Sequence, residues 1–268
     1  MNDLSYTVTS NEAKKLRIVR LVTSIIATIA AISGAVAVFL SRDSQSRYWG
    51  DTPVSYVFYA AIALGVVCAV ACLFIFKSGT RENPAPTTAV QYMINIISCA
   101  ALFLSAFTAI AGDTSAPLKV IVAVSAIIAA LVGLRGEDKG DVNFLLVGTY
   151  AKTIFCVLII SALYLDLNVE MNSPFKLVVQ FAAATVALHT LCDARRIISG
   201  VSAKLSVGAK VLVCVLGLSS GAIAIAGAMF KGELIPTQYF IYSAYFTAEA
   251  ISTLVSLWHS DVALSGSI

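Results

Sequence analysis

Charge is scarce in this chain. Acidic and basic residues make up 12% of its 268 residues, about half the share usual in soluble domains. Prolines number six and histidines two, and no hydrophilic stretch is long enough to fold as a soluble domain. These shortages exclude several function classes. His189 and His259 are the whole imidazole supply, and no His-x-x-Glu-His-type pattern occurs, so metal hydrolysis is poorly provided for. There is no G-x-S-x-G pattern either, so the chain leans away from an enzyme. The net charge of +3 is spread over loops rather than gathered in a patch, which gives nucleic-acid binding no support. The segment RGEDKGD, residues 135–141, alternates in sign but lacks the Gly-Lys-Ser/Thr ending of a phosphate loop; it reads as a solvated turn. All six cysteines (Cys68, Cys72, Cys99, Cys156, Cys192 and Cys214) fall in apolar runs, so a disulfide framework is not expected. Cys68 and Cys72 share a helix face without a histidine or acid beside them, which favours packing over metal binding. Nothing calls for a cofactor.

Apolar sequence is what remains. Hydrophobic residues reach 59% and the mean hydropathy is +0.88. Eight runs are long enough to cross a bilayer, at about 18–40, 54–76, 89–111, 117–134, 142–165, 175–197, 208–230 and 237–258, the fourth being the shortest. The expectation is an all-α, multi-pass bundle of eight transmembrane helices forming one transmembrane domain over 1–268. The first run is too long for the core of a signal peptide, so it reads as an uncleaved span after a short N-terminal segment, 1–17. Thr9 and Glu12 have the spacing of a capping box, which starts that helix near Ser10. Basic residues divide twelve to five between the two sets of loops, Lys152 aside. The positive-inside rule then places both termini in the cytoplasm, with the cell membrane as the expected location. Trp49 and Trp258 fall at opposite interfaces.

A repeat runs through the outer loops. They end GDTP, GDTSAP, VEMNSP and GELIP, each with an acid shortly before a proline: Asp51/Pro53, Asp113/Pro117, Glu170/Pro174 and Glu233/Pro236. Proline suits a helix's first turn, and an acid ahead of it complements the positive end of the dipole. Four helical hairpins follow from this, at about 10–77, 88–135, 141–197 and 204–258. The second and third align without gaps at an offset of 57, which sets Cys99 on Cys156, Lys119 on Lys176 and Asn95 on Lys152. Helices that favour Pro and an acid at their entry would give the same loop endings without common ancestry. Small residues recur at four-residue spacing: Ala27, Ala31 and Ala35; Ala61, Gly65 and Ala69; Gly217 and Gly221. Such faces let helices approach closely, within one chain or between copies.

Two charges break the apolar pattern at depth. Lys152 lies near the middle of the fifth run and Glu249 near the middle of the eighth. Each costs about 2.5–3.5 kcal/mol at the bilayer centre on insertion scales, and one cation and one anion at the same depth are expected to pair. Thr149, Lys152, Thr153 and Cys156 share one face of their helix, and Tyr239, Tyr242, Phe246, Glu249 and Thr253 form a stripe on theirs. These faces turn inward, because lipid cannot satisfy them. The candidate midplane site is therefore Lys152 and Glu249, with Thr149, Thr153, His189, Tyr242, Asn95 and Gln180 as candidate lining. Asp193, Arg195 and Arg196 read as a solvated helix end.

Two readings of the pair follow. In one, the chain is a small-solute or ion transporter in which an anionic solute competes for Lys152, or a proton or cation for Glu249. In the other, it is an accessory, immunity or scaffold subunit in which the pair fixes helix register and the partner is another membrane protein or a second copy. Access of water to Lys152 separates them: a carrier needs a wet route, a scaffold a dry bundle.

Overall fold

The computed structural model of the protein describes residues 10–40, 52–77, 80–83, 88–111, 116–139, 142–166, 169, 173–199, 202–230 and 237–264. Eight helices lie among these: α1 (Ser10–Leu40), α2 (Pro53–Ile75), α3 (Ala89–Ala111), α4 (Ala116–Lys139), α5 (Val142–Leu165), α6 (Pro174–Ser199), α7 (Ala203–Phe230) and α8 (Thr237–His259). Seven are long and apolar enough to cross a membrane, as in an integral multi-pass protein. In α4 the apolar stretch is shorter, Pro117–Gly133. The helix continues past it to Lys139, so residues 135–139 of the expected turn are helical instead.

Helix starts follow local chemistry where they are described. Pro53 opens α2, and Thr52 caps it by accepting a 3.3 Å hydrogen bond from the Ser55 amide on its hydroxyl. Pro174 opens α6 and Pro117 is the second residue of α4. The expected acids Asp51, Asp113, Glu170 and Glu233, together with Pro236, Trp49 and Thr9, lie outside the described residues. Glu12 is buried and holds Lys15 at 2.7 Å.

Six helices close a ring: α3 packs on α4, α4 on α5, α5 on α6, α6 on α7, α7 on α8, and α8 back on α3. Helices α1 and α2 stand outside the ring against α7 and against each other. Polarity runs inward. Serines and threonines such as Ser98, Ser105, Thr153, Thr190, Ser219 and Thr253 are buried, while large apolar side chains face out, with Phe74 81% and Phe107 69% exposed. That distribution suits a lipid surround.

Small residues allow close helix contacts. A Cβ on Gly217 would lie 2.6 Å from the Phe246 carbonyl oxygen and 2.7 Å from Ala250 Cβ; one on Gly208 would lie 2.9 Å from the Ala69 carbonyl oxygen. The two glycines of the GxxxG pair thus seat α7 against α8. On α1 the buried stripe is Ala27, Ala30, Gly34 and Ala37 rather than Ala27, Ala31 and Ala35.

One feature departs from an all-helical fold. Strand β1 (Thr80–Asn83), after α2, pairs antiparallel with β2 (Asp261–Leu264), after α8. On the same face Lys15 of α1 donates to the Ile75 carbonyl at 2.8 Å, and Arg20 donates to the carbonyl of Ser260. Both cations cap carbonyls at chain ends that a helix leaves unpaired. The start of α1 and the ends of α2 and α8 therefore share one face of the bundle, called here the ribbon face.

Candidate functional site

Lys152 is ten residues from the first residue of α5, and Glu249 is ten from the last of α8. At about 1.5 Å per residue both sit about 15 Å from the ribbon face. Their side chains meet across the ring: Lys152 Nζ donates to Glu249 Oε1 at 2.8 Å. Ser98 of α3 donates to the same oxygen at 2.7 Å. The second carboxylate oxygen takes no hydrogen bond from a described residue and is not sealed from its surroundings.

A cavity of about 140 Å³ begins at this pair. Its wall includes Asn95 and Cys99 from α3, Val132 and Gly133 from α4, Leu145, Gly148 and Thr149 from α5, and Thr190 and Asp193 from α6. These residues lie toward the starts of α3 and α5 and the ends of α4 and α6, so the cavity extends from the pair toward the ribbon face. The Lys152 side chain is 24% exposed, Glu249 11% and Asp193 27%.

The opposite half of the ring is packed. Phe155 meets Tyr242 and Tyr245 edge-on at centroid separations of 6.4 and 5.5 Å, and Leu102, Ile159, Leu163 and Phe246 are buried in the same cluster. Beyond that layer a void of about 10 Å³ borders Tyr242, Lys119 and Gln238. Asp166 ties the far end together. It accepts from Tyr239 at 3.0 Å and Gln238 at 3.2 Å on Oδ2, while its carbonyl accepts from the buried Lys176 at 2.6 Å.

The eight residues singled out from the sequence separate into two groups. Lys152, Glu249, Asn95 and Thr149 line one cavity. Thr153 stands behind the wall, its hydroxyl 2.8 Å from that of Thr190. Asn95 also accepts from Ser252 at 3.2 Å. The other three lie off the cavity wall. His189 is buried beside Asp193, Nε2 to Oδ2 at 3.5 Å. Tyr242 is on the far side of the aromatic layer, and Gln180 reaches toward the Ile160 carbonyl at 3.5 Å.

Three participants were not among the sequence candidates. Ser98 is one helical turn from Asn95, but a serine satisfies its hydroxyl on its own helix so readily that depth alone does not single it out. Thr190 is hidden for the same reason. Asp193 belongs to the wall rather than to a simply solvated end; it is held by Arg196 at 3.2 Å. Two more lysines are also buried: Lys176, as above, and Lys210, which donates to Ser256 at 3.1 Å. The six cysteines are all free thiols, and no cluster of metal-binding side chains occurs among the described residues.

No protein-family model, curated protein or solved structure matches this chain.

Proposed function

We propose that the protein is a small-solute or ion transporter whose midplane site is the Lys152–Glu249 pair. One observation carries this reading: a cavity bordered by Lys152, Glu249, Asp193, Asn95 and Thr149 extends from the pair toward the ribbon face, while an aromatic layer packs the bundle on the other side. A scaffold gains nothing from leaving a buried ion pair beside space for water, which weakens the pair. A carrier requires it, because a solute must be able to compete with the pair. Binding that loosens the Lys152–Glu249 attraction would bias the spacing of α5 and α8 across the ring, and so couple occupancy to conformation.

The finer architecture belongs to the same proposal. All eight helices cross, α4 included, since its 17-residue apolar stretch is at the lower limit of a span. The loop charges put the ribbon face, and both termini, in the cytoplasm of a cell-membrane protein. The chain is one domain of four hairpins. The offset of 57 supports descent of the second and third hairpins from one unit, because Asn95 and Lys152, and likewise Gly133 and Thr190, occupy matching positions and border the same cavity.

The test is flux. Proteoliposomes would be placed in isosmotic solutions of small anions, cations, zwitterions and neutral solutes, and swelling followed by light scattering. At least one solute should enter faster than into protein-free vesicles, and the Lys152→Met/Glu249→Gln protein should lose that excess. If no class of solute enters faster, the pair is structural and the accessory-subunit reading takes over.

A further inference from the structure

Resting on the transporter reading, we infer that the site takes a compact zwitterion, a molecule carrying an ammonium and a carboxylate. Four observations combine. First, Ser98 and Lys152 crowd one oxygen of Glu249, which leaves the other free to accept. Second, Lys152 donates one of its three N–H groups to Glu249 and makes no other hydrogen bond among the described residues, so two donors remain, on a side chain that is 24% exposed and borders the cavity. Free donors of one charge and a free acceptor of the other therefore stand side by side at the blind end of the cavity. Third, the ionic groups at the wall are already balanced: Lys152 by Glu249, and Asp193 by Arg196.

That balance discriminates between solutes. A lone anion on Lys152 would add uncompensated negative charge beside two carboxylates. A lone cation on Glu249 would sit against the Lys152 ammonium. A zwitterion brings both signs, so its carboxylate can take the lysine donors and its ammonium the free glutamate oxygen with no net charge added at midplane depth, where an unbalanced charge is most costly. Fourth, the space of about 140 Å³ corresponds to roughly ten water-sized positions at about 10–15 Å³ each, enough for a solute of several heavy atoms with part of its hydration.

The experiment measures binding directly. Purified protein is titrated with glycine, 4-aminobutyrate, acetate and methylammonium, and the unfolding temperature and binding heat are recorded. At least one of the two zwitterions should raise the unfolding temperature by several degrees at millimolar concentration. Acetate and methylammonium should leave it unchanged. The Lys152→Met/Glu249→Gln protein, which removes both charges together and so leaves neither unpaired, should lose the zwitterion response. An equal or larger response to acetate or methylammonium overturns the inference but leaves the transporter reading standing, as does a flux of another solute class without zwitterion binding. Absence of zwitterion binding together with absence of flux for every solute class, the neutral one included, overturns the inference and the transporter reading together.

Discussion

At the scale of single residues, the pair was legible because it was rare. A lysine and a glutamate at matching depth leave each other as partners, and they meet at 2.8 Å. The lining was legible only in part. Asn95 and Thr149 share a helix face with residues that point into the ring. Tyr242 lies on the Glu249 stripe, but seven residues away, about 10 Å along the axis, which carries it past the Phe155 layer. Asp193 was obscured by its two arginine neighbours, which make any acid near a helix end look solvated. The pair's energetics are testable with a double-mutant cycle. Breaking a sealed ion pair costs about 3–5 kcal/mol; water in the cavity should reduce that for Lys152→Met or Glu249→Gln alone to about 1–3 kcal/mol. The double variant should recover most of the loss in thermal unfolding. Ser98→Ala removes one of two donors from Oε1 and should cost about 1 kcal/mol. Simple additivity of the Lys152 and Glu249 effects would mean the two do not interact in the folded protein.

At the scale of elements, apolar length gave the helices and the glycines gave their contacts. The sequence could not say whether Gly217 and Gly221 serve one chain or two, because the same four-residue spacing fits either. The structure seats them on α8. A methyl group at position 217 would meet both a backbone oxygen and Ala250 Cβ. Gly217→Ala should therefore destabilise the protein by about 1–3 kcal/mol, read as a lowered unfolding temperature. Adding Ala250→Gly should restore only part, since the Phe246 carbonyl stays in place. Full rescue would mean that the side-chain contact alone sets the α7–α8 distance. The strands β1 and β2 were not legible: TREN and DVAL are four residues each, and only their pairing across most of the chain makes them strands. The extension of α4 through RGEDK was missed because its glycine and alternating charges resemble turn chemistry.

At the scale of the whole molecule, a ring of six helices holds a cavity on one side of the pair and a packed layer on the other. Loop charge decides which face is cytoplasmic, and the prediction is specific. A fluorescent reporter fused after residue 268 should mature on the cytoplasmic side, where a periplasm- or exterior-dependent reporter at the same place should stay silent. The reverse pattern would turn the cavity outward and leave its chemistry unchanged.

The proposed carrier needs a wet route to Lys152 from one side only, and sided thiol labelling measures that route. Thr149 borders the cavity and is half-buried. In a protein whose six native cysteines are replaced, Thr149→Cys would be exposed to a charged, membrane-impermeant thiol reagent in vesicles of each orientation. Modification is expected when the ribbon face meets the reagent, with much slower modification from the opposite face. A thiol that stays unmodified from both sides would contradict the wet route, leaving the Lys152–Glu249 pair in a dry, closed bundle.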